Sequence, residues 1–250
     1  MRTICDIAYT RNLNLAMDLY LPDAENFDTV VFFHGGGLEA GTRKDYAQWM
    51  EGTLEKGLGF VSVDYRMYPT AHFPEYLLDA ANAVAYVQKH IGEYRGSGKI
   101  VLAGSSAGAY IVMMLTMNPA YLRNAGADEK QIIACVSDSA QMGTHFNVLR
   151  EYGTDSRALR ITEAAPMFYT DVRKIPYPLM LIAYEDDIPC RLEENALFYR
   201  NVLRFDANAP VLFEVLPGKH TSGCNVRSEA DGEYPCIRLM TEILQRANEA

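Results

Sequence analysis

An α/β fold, a mostly parallel central sheet with helices on both faces, is predicted by three observations. Short apolar runs alternate along the chain with longer stretches of helical periodicity, the mark of repeated strand–helix units. The short runs are apolar at nearly every residue, which suits strands buried on both faces. No internal repeat or low-complexity linker interrupts the alternation, so residues 1–250 are expected to form a single domain.

The elements follow in order. The first residues, through Leu15-Ala16-Met17-Asp18-Leu19-Tyr20-Leu21, alternate like an antiparallel hairpin. Residues 29–33 form the first buried run and end at His34-Gly35-Gly36-Gly37. A helix is expected over 45–56, with Trp49, Met50 and Leu54 on one side, and a strand over 59–64. Residues 74–94 place Leu77, Leu78, Ala81, Val84, Ala85 and Val87 near helical spacing. A strand at 99–103, a helix at 106–117 and a strand at 132–136 come next. The strands at 178–183 and 211–215 are each followed by a helix, at 191–203 and 236–247. Residues 139–177 fit neither period. Gly143, Gly153, Pro166, Pro176 and several aromatics suggest short helices and loops over the sheet edge, as a lid or a substrate-pocket insertion.

Composition narrows the function. Hydrophobic residues at 49% and charged residues at 22% match an ordinary globular protein and exclude a disordered chain. A net charge of −9 argues against a nucleic-acid partner, whose phosphates demand a cationic surface. No apolar run approaches the roughly 18 residues that span a bilayer, so no membrane partner is expected. Asp6 stands where a secretory leader would begin its apolar stretch, which points to the cytoplasm. The five cysteines, Cys5, Cys135, Cys190, Cys224 and Cys236, form no C-x-x-C pair and no metal-ligand spacing. Free thiols are expected, with Cys224 and Cys236, which flank a loop, the only pair placed for a bridge. Gly96-Ser97-Gly98-Lys99 precedes a strand rather than a helix and is not a phosphate loop.

The chemistry-bearing signal is Gly104-Ser105-Ser106-Ala107-Gly108, set between a predicted strand and a predicted helix. A serine on such a sharp turn projects its hydroxyl from the end of the sheet, and glycines two residues either side leave room for the strained backbone. Ser105 lacks those flanking glycines. Successive glycines in His34-Gly35-Gly36-Gly37 let backbone N–H groups face a shared cavity, where they can bind the oxyanion of an acyl-transfer intermediate. The expected donors are Gly36, Gly37 and, just after the nucleophile, Ala107.

A nucleophilic serine needs a base, and the base needs an orienting acid. His220, in the loop beyond the last strand, is the expected base. His145 lies in the irregular segment, His34 in the glycine motif, and His72 and His90 on a turn and a polar helix face. The strand at 178–183 runs into Tyr184-Glu185-Asp186-Asp187-Ile188-Pro189, where Asp187 is the first choice of acid and Asp186 the alternative. Asp138, at the preceding strand end, is a weaker substitute. Leu38, Met142, Phe146, Met167, Phe168 and Tyr169 are candidates for the acyl pocket from their apolar character and position.

Taken together, the glycine motif, Val63-Asp64-Tyr65-Arg66, the serine motif and the late Asp and His resemble the α/β-hydrolase superfamily, in particular its hormone-sensitive-lipase-like carboxylesterase and lipase branch. The resemblance runs from about Leu15 to the C-terminus. It implies that Asp64, Tyr65 and Arg66 are structural supports. Two strands occupy most of the chain before His34, so no large N-terminal cap is expected and the site should be comparatively open. The implied activity is cleavage of a small-molecule ester through an acyl-enzyme, without metal or organic cofactor. An amide or formamide, or an acetylated or feruloylated sugar, would suit the same machinery, and a non-catalytic binding module is the remaining reading. The exposed faces of the last helices offer a surface for a homodimer.

Overall fold

The structure is a computed structural model that describes residues 1–249. Its centre is an eight-stranded sheet in the order β1-β2-β4-β3-β5-β6-β7-β8. The strands are β1 (Arg2–Ala8), β2 (Ala16–Leu21), β3 (Phe27–Phe33), β4 (Gly59–Val63), β5 (Gly96–Ser105), β6 (Ile132–Asp138), β7 (Leu179–Asp186) and β8 (Val211–Lys219). The β1–β2 and β2–β4 pairs are antiparallel, and every other pair is parallel.

Successive residues of a strand point to opposite faces, and here both faces are covered. Val31, Phe33, Ile100, Leu102, Cys135, Leu179 and Leu181 belong to one apolar cluster, while Val30, Phe32, Val101, Ala103, Val136, Met180 and Ile182 belong to the other. That explains the unbroken apolar runs in the sequence. The second face carries α1 (Ala47–Glu55) and, from the far end of the chain, the helix Pro235–Glu249, through Trp49, Ile237, Met240 and Ile243. The first face carries α2 (Glu75–His90), α3 (Ala107–Met117), α4 (Ala120–Ala125), α5 (Phe146–Glu151) and α6 (Arg191–Phe205); the Pro235–Glu249 helix is α7.

All of the residues of α3 are buried. A helix apolar on every side must be covered on every side, and the sheet lies under it while the 139–177 segment lies over it. Tyr110 Oη donates to Ala164 O at 2.8 Å, Asn118 Nδ2 to Tyr169 Oη at 3.3 Å and Tyr177 Oη to Thr116 Oγ1 at 3.0 Å. The irregular segment is thus bonded along the whole length of α3. Its one regular helix, α5, and a 3₁₀ turn at Pro166–Tyr169 account for the missing periodicity. Helix α4 leaves no periodic trace in the sequence, because its six residues are too few to show a helical period; it ends on Gly126 at φ 83°. Among the described residues no helix is long and apolar enough to cross a membrane. The five cysteines are free, so Cys224 and Cys236, both buried, are not bridged.

Candidate active site

Ser106 is the hinge between β5 and α3. Its φ of 55° and ψ of −112° lie outside the regions that residues with a Cβ ordinarily occupy. The turn is held by Ser106 N–H donating to Asp138 O at 2.8 Å and by Tyr110 N–H closing the first helical turn on Ser106 O at 2.9 Å. The need for Gly108 is steric: a Cβ there would stand 1.9 Å from Phe33 O. A Cβ on Gly104 would meet the backbone of Gly108 at 2.4 Å. These glycines let α3 start directly on the sheet, and the serine is lifted off its end.

The glycine motif follows β3. His34 is buried, with its ring stacked on Tyr65 at 4.4 Å and its carbonyl accepting from Tyr65 Oη at 2.7 Å. Burial lowers its pKa, so the ring is a neutral packing element. Gly35 N–H donates to Tyr46 Oη at 2.7 Å, and Gly36 O accepts from the N–H groups of Glu39 and Ala40. Gly36 takes φ 109°, and a Cβ there would overlap Ala40 O. Among the described residues, the N–H groups of Gly36, Gly37 and Ala107 donate to no protein acceptor. Asp64, Tyr65 and Arg66 buttress this loop. Asp64 receives Arg43, Tyr65 holds His34, and Arg66 pairs with Asp79 at 2.8 Å and Glu75 at 2.7 Å.

The end of β8 delivers His220. Its Nε2 lies 2.9 Å from Ser106 Oγ, and its Nδ1 lies 2.5 Å from Asp187 Oδ1. Asp187 also accepts from Ile188 N–H at 2.8 Å and from Ser139 Oγ at 2.7 Å. Burial pushes its carboxyl up, but the hydrogen bonds from His220 and Ser139 and the charge His220 can carry outweigh that and hold it below the usual range. The Asp187 side chain is 1% exposed and that of His220 23%, so the carboxylate is sealed while the imidazole still reaches solvent. Asp186, the alternative acid, is the last residue of β7, exposed and in register with Lys219. Asp138 lies beneath the elbow, where its carboxylate accepts from Ser105 Oγ at 2.5 Å and Tyr184 Oη at 2.6 Å.

The acyl-pocket candidates require correction. Leu38 and Met142 have no exposed surface, and Met167 and Tyr169 are buried in the same cluster. Tyr169 Oη is occupied by Glu163 O. Phe168 points away, into an outer groove with Ile161, Val172, Leu197 and Phe205. Of the six, Phe146 is the partly exposed side chain set against the glycine motif, its ring tip 2.9 Å from where a Gly37 Cβ would be. Apolar character in this segment marks residues that bury against α3, which sequence alone does not separate from ligand contact. Ser139 and Asn147, which donates to Gly37 O at 2.5 Å, are parts of the site that the sequence reading did not single out, and Asp138, the weaker substitute for the acid, sits beneath the serine turn instead. The only available signal was the polar Asp138-Ser139 pair closing an apolar strand.

A recessed space of about 850 Å³ lies elsewhere, between residues 9–13, α2 and the loop at 125–131. Among the described residues no group of three or more His, Cys, Asp or Glu side chains is arranged to hold a metal ion.

Residues 17–154, more than half of the chain, match the BD-FAE family. Curated relatives include the probable carboxylesterase 13 of Arabidopsis thaliana, 33% identical over an alignment of 139 residues that covers 46% of this chain and 41% of that protein. Human hormone-sensitive lipase is 32% identical over 93 residues, 36% of this chain and 9% of the lipase. The chain spans less than half the length of these relatives. Among solved structures, butyrate-bound esterase 2 of Thermogutta terrifontis superposes with a TM-score of 0.78 at 20% identity, covering 98% of this chain and 94% of that one. A truncated carbohydrate esterase from gut microbiota gives 0.79 at 16% identity, covering 100% and 97%. The order of the strands, the serine turn and the family match agree: the chain belongs to the BD-FAE family, within the hormone-sensitive-lipase-like α/β-hydrolases.

Proposed function

We propose that the protein is a serine hydrolase that cleaves carboxylic esters of small or short-chain acyl groups. The observation that carries this reading is the unbroken line from Ser106 Oγ through His220 to Asp187, with contacts of 2.9 and 2.5 Å. With Nδ1 bonded to the Asp187 carboxylate, His220 carries its proton there and presents Nε2 as the acceptor. Nε2 takes the Ser106 proton as the oxygen adds to the ester carbonyl. The unpaired N–H groups of Gly36, Gly37 and Ala107 receive the developing oxyanion; such donors are each worth about 3–4 kcal/mol of transition-state stabilisation. His220 then returns the proton to the departing alcohol, and water repeats the sequence on the acyl-enzyme. The Phe146 ring beside Gly37 favours a short acyl group. A sugar as the alcohol is the second reading, suggested by the fold neighbour described as a carbohydrate esterase.

The test is hydrolysis of p-nitrophenyl acetate, butyrate and octanoate by the wild type and by Ser106→Ala. The wild type should prefer the shorter esters, and the variant should lose about 10⁴–10⁶-fold in kcat, as removal of a triad nucleophile does. Full activity in Ser106→Ala would refute the assignment. Acetylated xylosides and an amide of the same acyl group, run alongside, separate the sugar-ester and amidase readings.

A further inference from the structure

Strand β6 supplies none of the three residues in that line, yet the residue after its end touches two of them. Ser139 is completely buried. Its Oγ lies 2.7 Å from Asp187 Oδ2 and 2.9 Å from His220 Nδ1. Its backbone is clamped on both sides, since Ser139 N–H donates to Ile182 O at 2.8 Å and Ser139 O accepts from Arg191 Nη1 at 2.9 Å. The φ of 60° is one that glycine adopts freely and a residue with a Cβ does not. A hydroxyl is therefore held at this point against the backbone preference.

The protons can be assigned by elimination. Ionised Asp187 has no proton to give. A His220 that accepts from Ser106 at Nε2 carries its own proton on Nδ1, directed at Asp187 Oδ1 and flanked by Ser139 Oγ. The single hydroxyl proton of Ser139 then goes to Oδ2. Asp187 is pinned at both oxygens, by His220 and Ile188 N–H on Oδ1 and by Ser139 on Oδ2. Without Ser139, Oδ2 has no side-chain donor and the carboxylate is free to turn about its Cβ–Cγ bond.

We propose that Ser139 is a positioning residue for the hydrolysis: its hydroxyl fixes the Asp187 carboxylate and, through it, the tautomer and aim of His220. This rests on the reading of Ser106, His220 and Asp187 as the working triad. Nothing in the geometry brings Ser139 to the substrate, so its loss should appear in kcat and not in KM.

The experiment compares the wild type with Ser106→Ala, Ser139→Ala and Ser139→Gly on p-nitrophenyl acetate, with thermal melts and the proton NMR signal of His220 Nδ1–H. Glycine removes the hydroxyl while suiting the backbone, whereas alanine removes it and leaves the backbone strained. Both Ser139 variants are expected to lose about 10–100-fold in kcat, the usual cost of deleting an outer partner of a working side chain. KM should stay within about twofold, and the Nδ1–H signal should shift or broaden. Wild-type kcat in Ser139→Gly beside an inactive Ser106→Ala would overturn the proposal and leave the triad standing. A loss seen in Ser139→Ala but not in Ser139→Gly would overturn it too, by tracing the effect to the backbone. An active Ser106→Ala would remove the triad and the role of Ser139 together.

Discussion

Two carboxylates stand at the ends of neighbouring strands, and the protein treats them in opposite ways. Asp138 closes β6 and is fully buried, and among the described residues two neutral hydroxyls, of Ser105 and Tyr184, donate to its oxygens. Burial raises its pKa to about 6, further than those hydrogen bonds and the nearby His220 can lower it. Asp187, one strand further on, is also sealed from solvent at its side chain, but it faces an imidazole, a hydroxyl and a backbone N–H. Its pKa is held below the ordinary range. The difference lies in the partners. A carboxylate that can meet a cation stays ionised and can stabilise an imidazolium, while one ringed by hydroxyls is a structural strut beneath the serine turn.

The sharpest way to break that contrast is to neutralise the two acids separately. Asp187→Asn keeps the shape but presents an amide to Nδ1, which favours the wrong tautomer of His220. A fall in kcat of about 10⁴-fold is expected, with the fold intact by circular dichroism. A loss below tenfold would mean that another group orients the base.

The same contrast explains what could be read from the amino-acid order. The strands, the serine turn and the glycine loop were legible because sterics write them locally. Gly104 and Gly108 must be glycine where α3 meets the sheet, and buried strands must be apolar. His220 was legible as the histidine of a loop directly after the last strand. Ser139 was not, because a hydroxyl donating across strand ends to Asp187, 48 positions away, leaves no local pattern. The cover over α3 failed for the converse reason. Met142, Met167 and Tyr169 have the composition of a pocket and the burial of a core, and apolar chemistry is the same in both.

Asp138→Asn should have a smaller and different effect. The folded-state pKa of about 6 lies above the ordinary 3.8, so the native protein binds more protons than the unfolded chain between those values. Stability from this group therefore falls as pH rises through that window, and above it the ionised carboxylate costs on the order of 3 kcal/mol. Asp187 has the opposite sign, since its contribution is present above 3.8 and is lost as pH falls through its lowered value. In urea unfolding from pH 4 to 8, the stability of Asp138→Asn relative to the wild type should rise between about pH 4 and 6 and then level off. The variant should keep its activity within about tenfold. A stability difference that does not vary with pH would show that Asp138 titrates like an exposed acid. A loss of activity as large as that of Asp187→Asn would make it part of the catalytic line.

The smallest expected effect belongs to Asp186, the acid next to Asp187 in sequence. The two differ by a single position, but the strand ends between them. Asp186 is still in register with Lys219, so its side chain follows the alternation of β7 into solvent. Asp187 has left the ladder and turns back toward His220, with Ile188 N–H bracing its carboxylate. An exposed acid without a buried partner contributes little to stability, about 0.5 kcal/mol or less on substitution. Asp186→Asn should therefore leave kcat, KM and Tm at wild-type values, measured beside Asp187→Asn in the same preparation. If Asp186→Asn were the inactive variant and Asp187→Asn the silent one, the turn after β7 would have to present Asp186 to His220 in place of Asp187. The ladder from Leu179 to Tyr184 would be untouched by that change, because the pairing with β8 is already irregular between Tyr184 and Asp186. The pair of substitutions therefore tests the turn that aims the carboxylate and leaves the two cores out of the question.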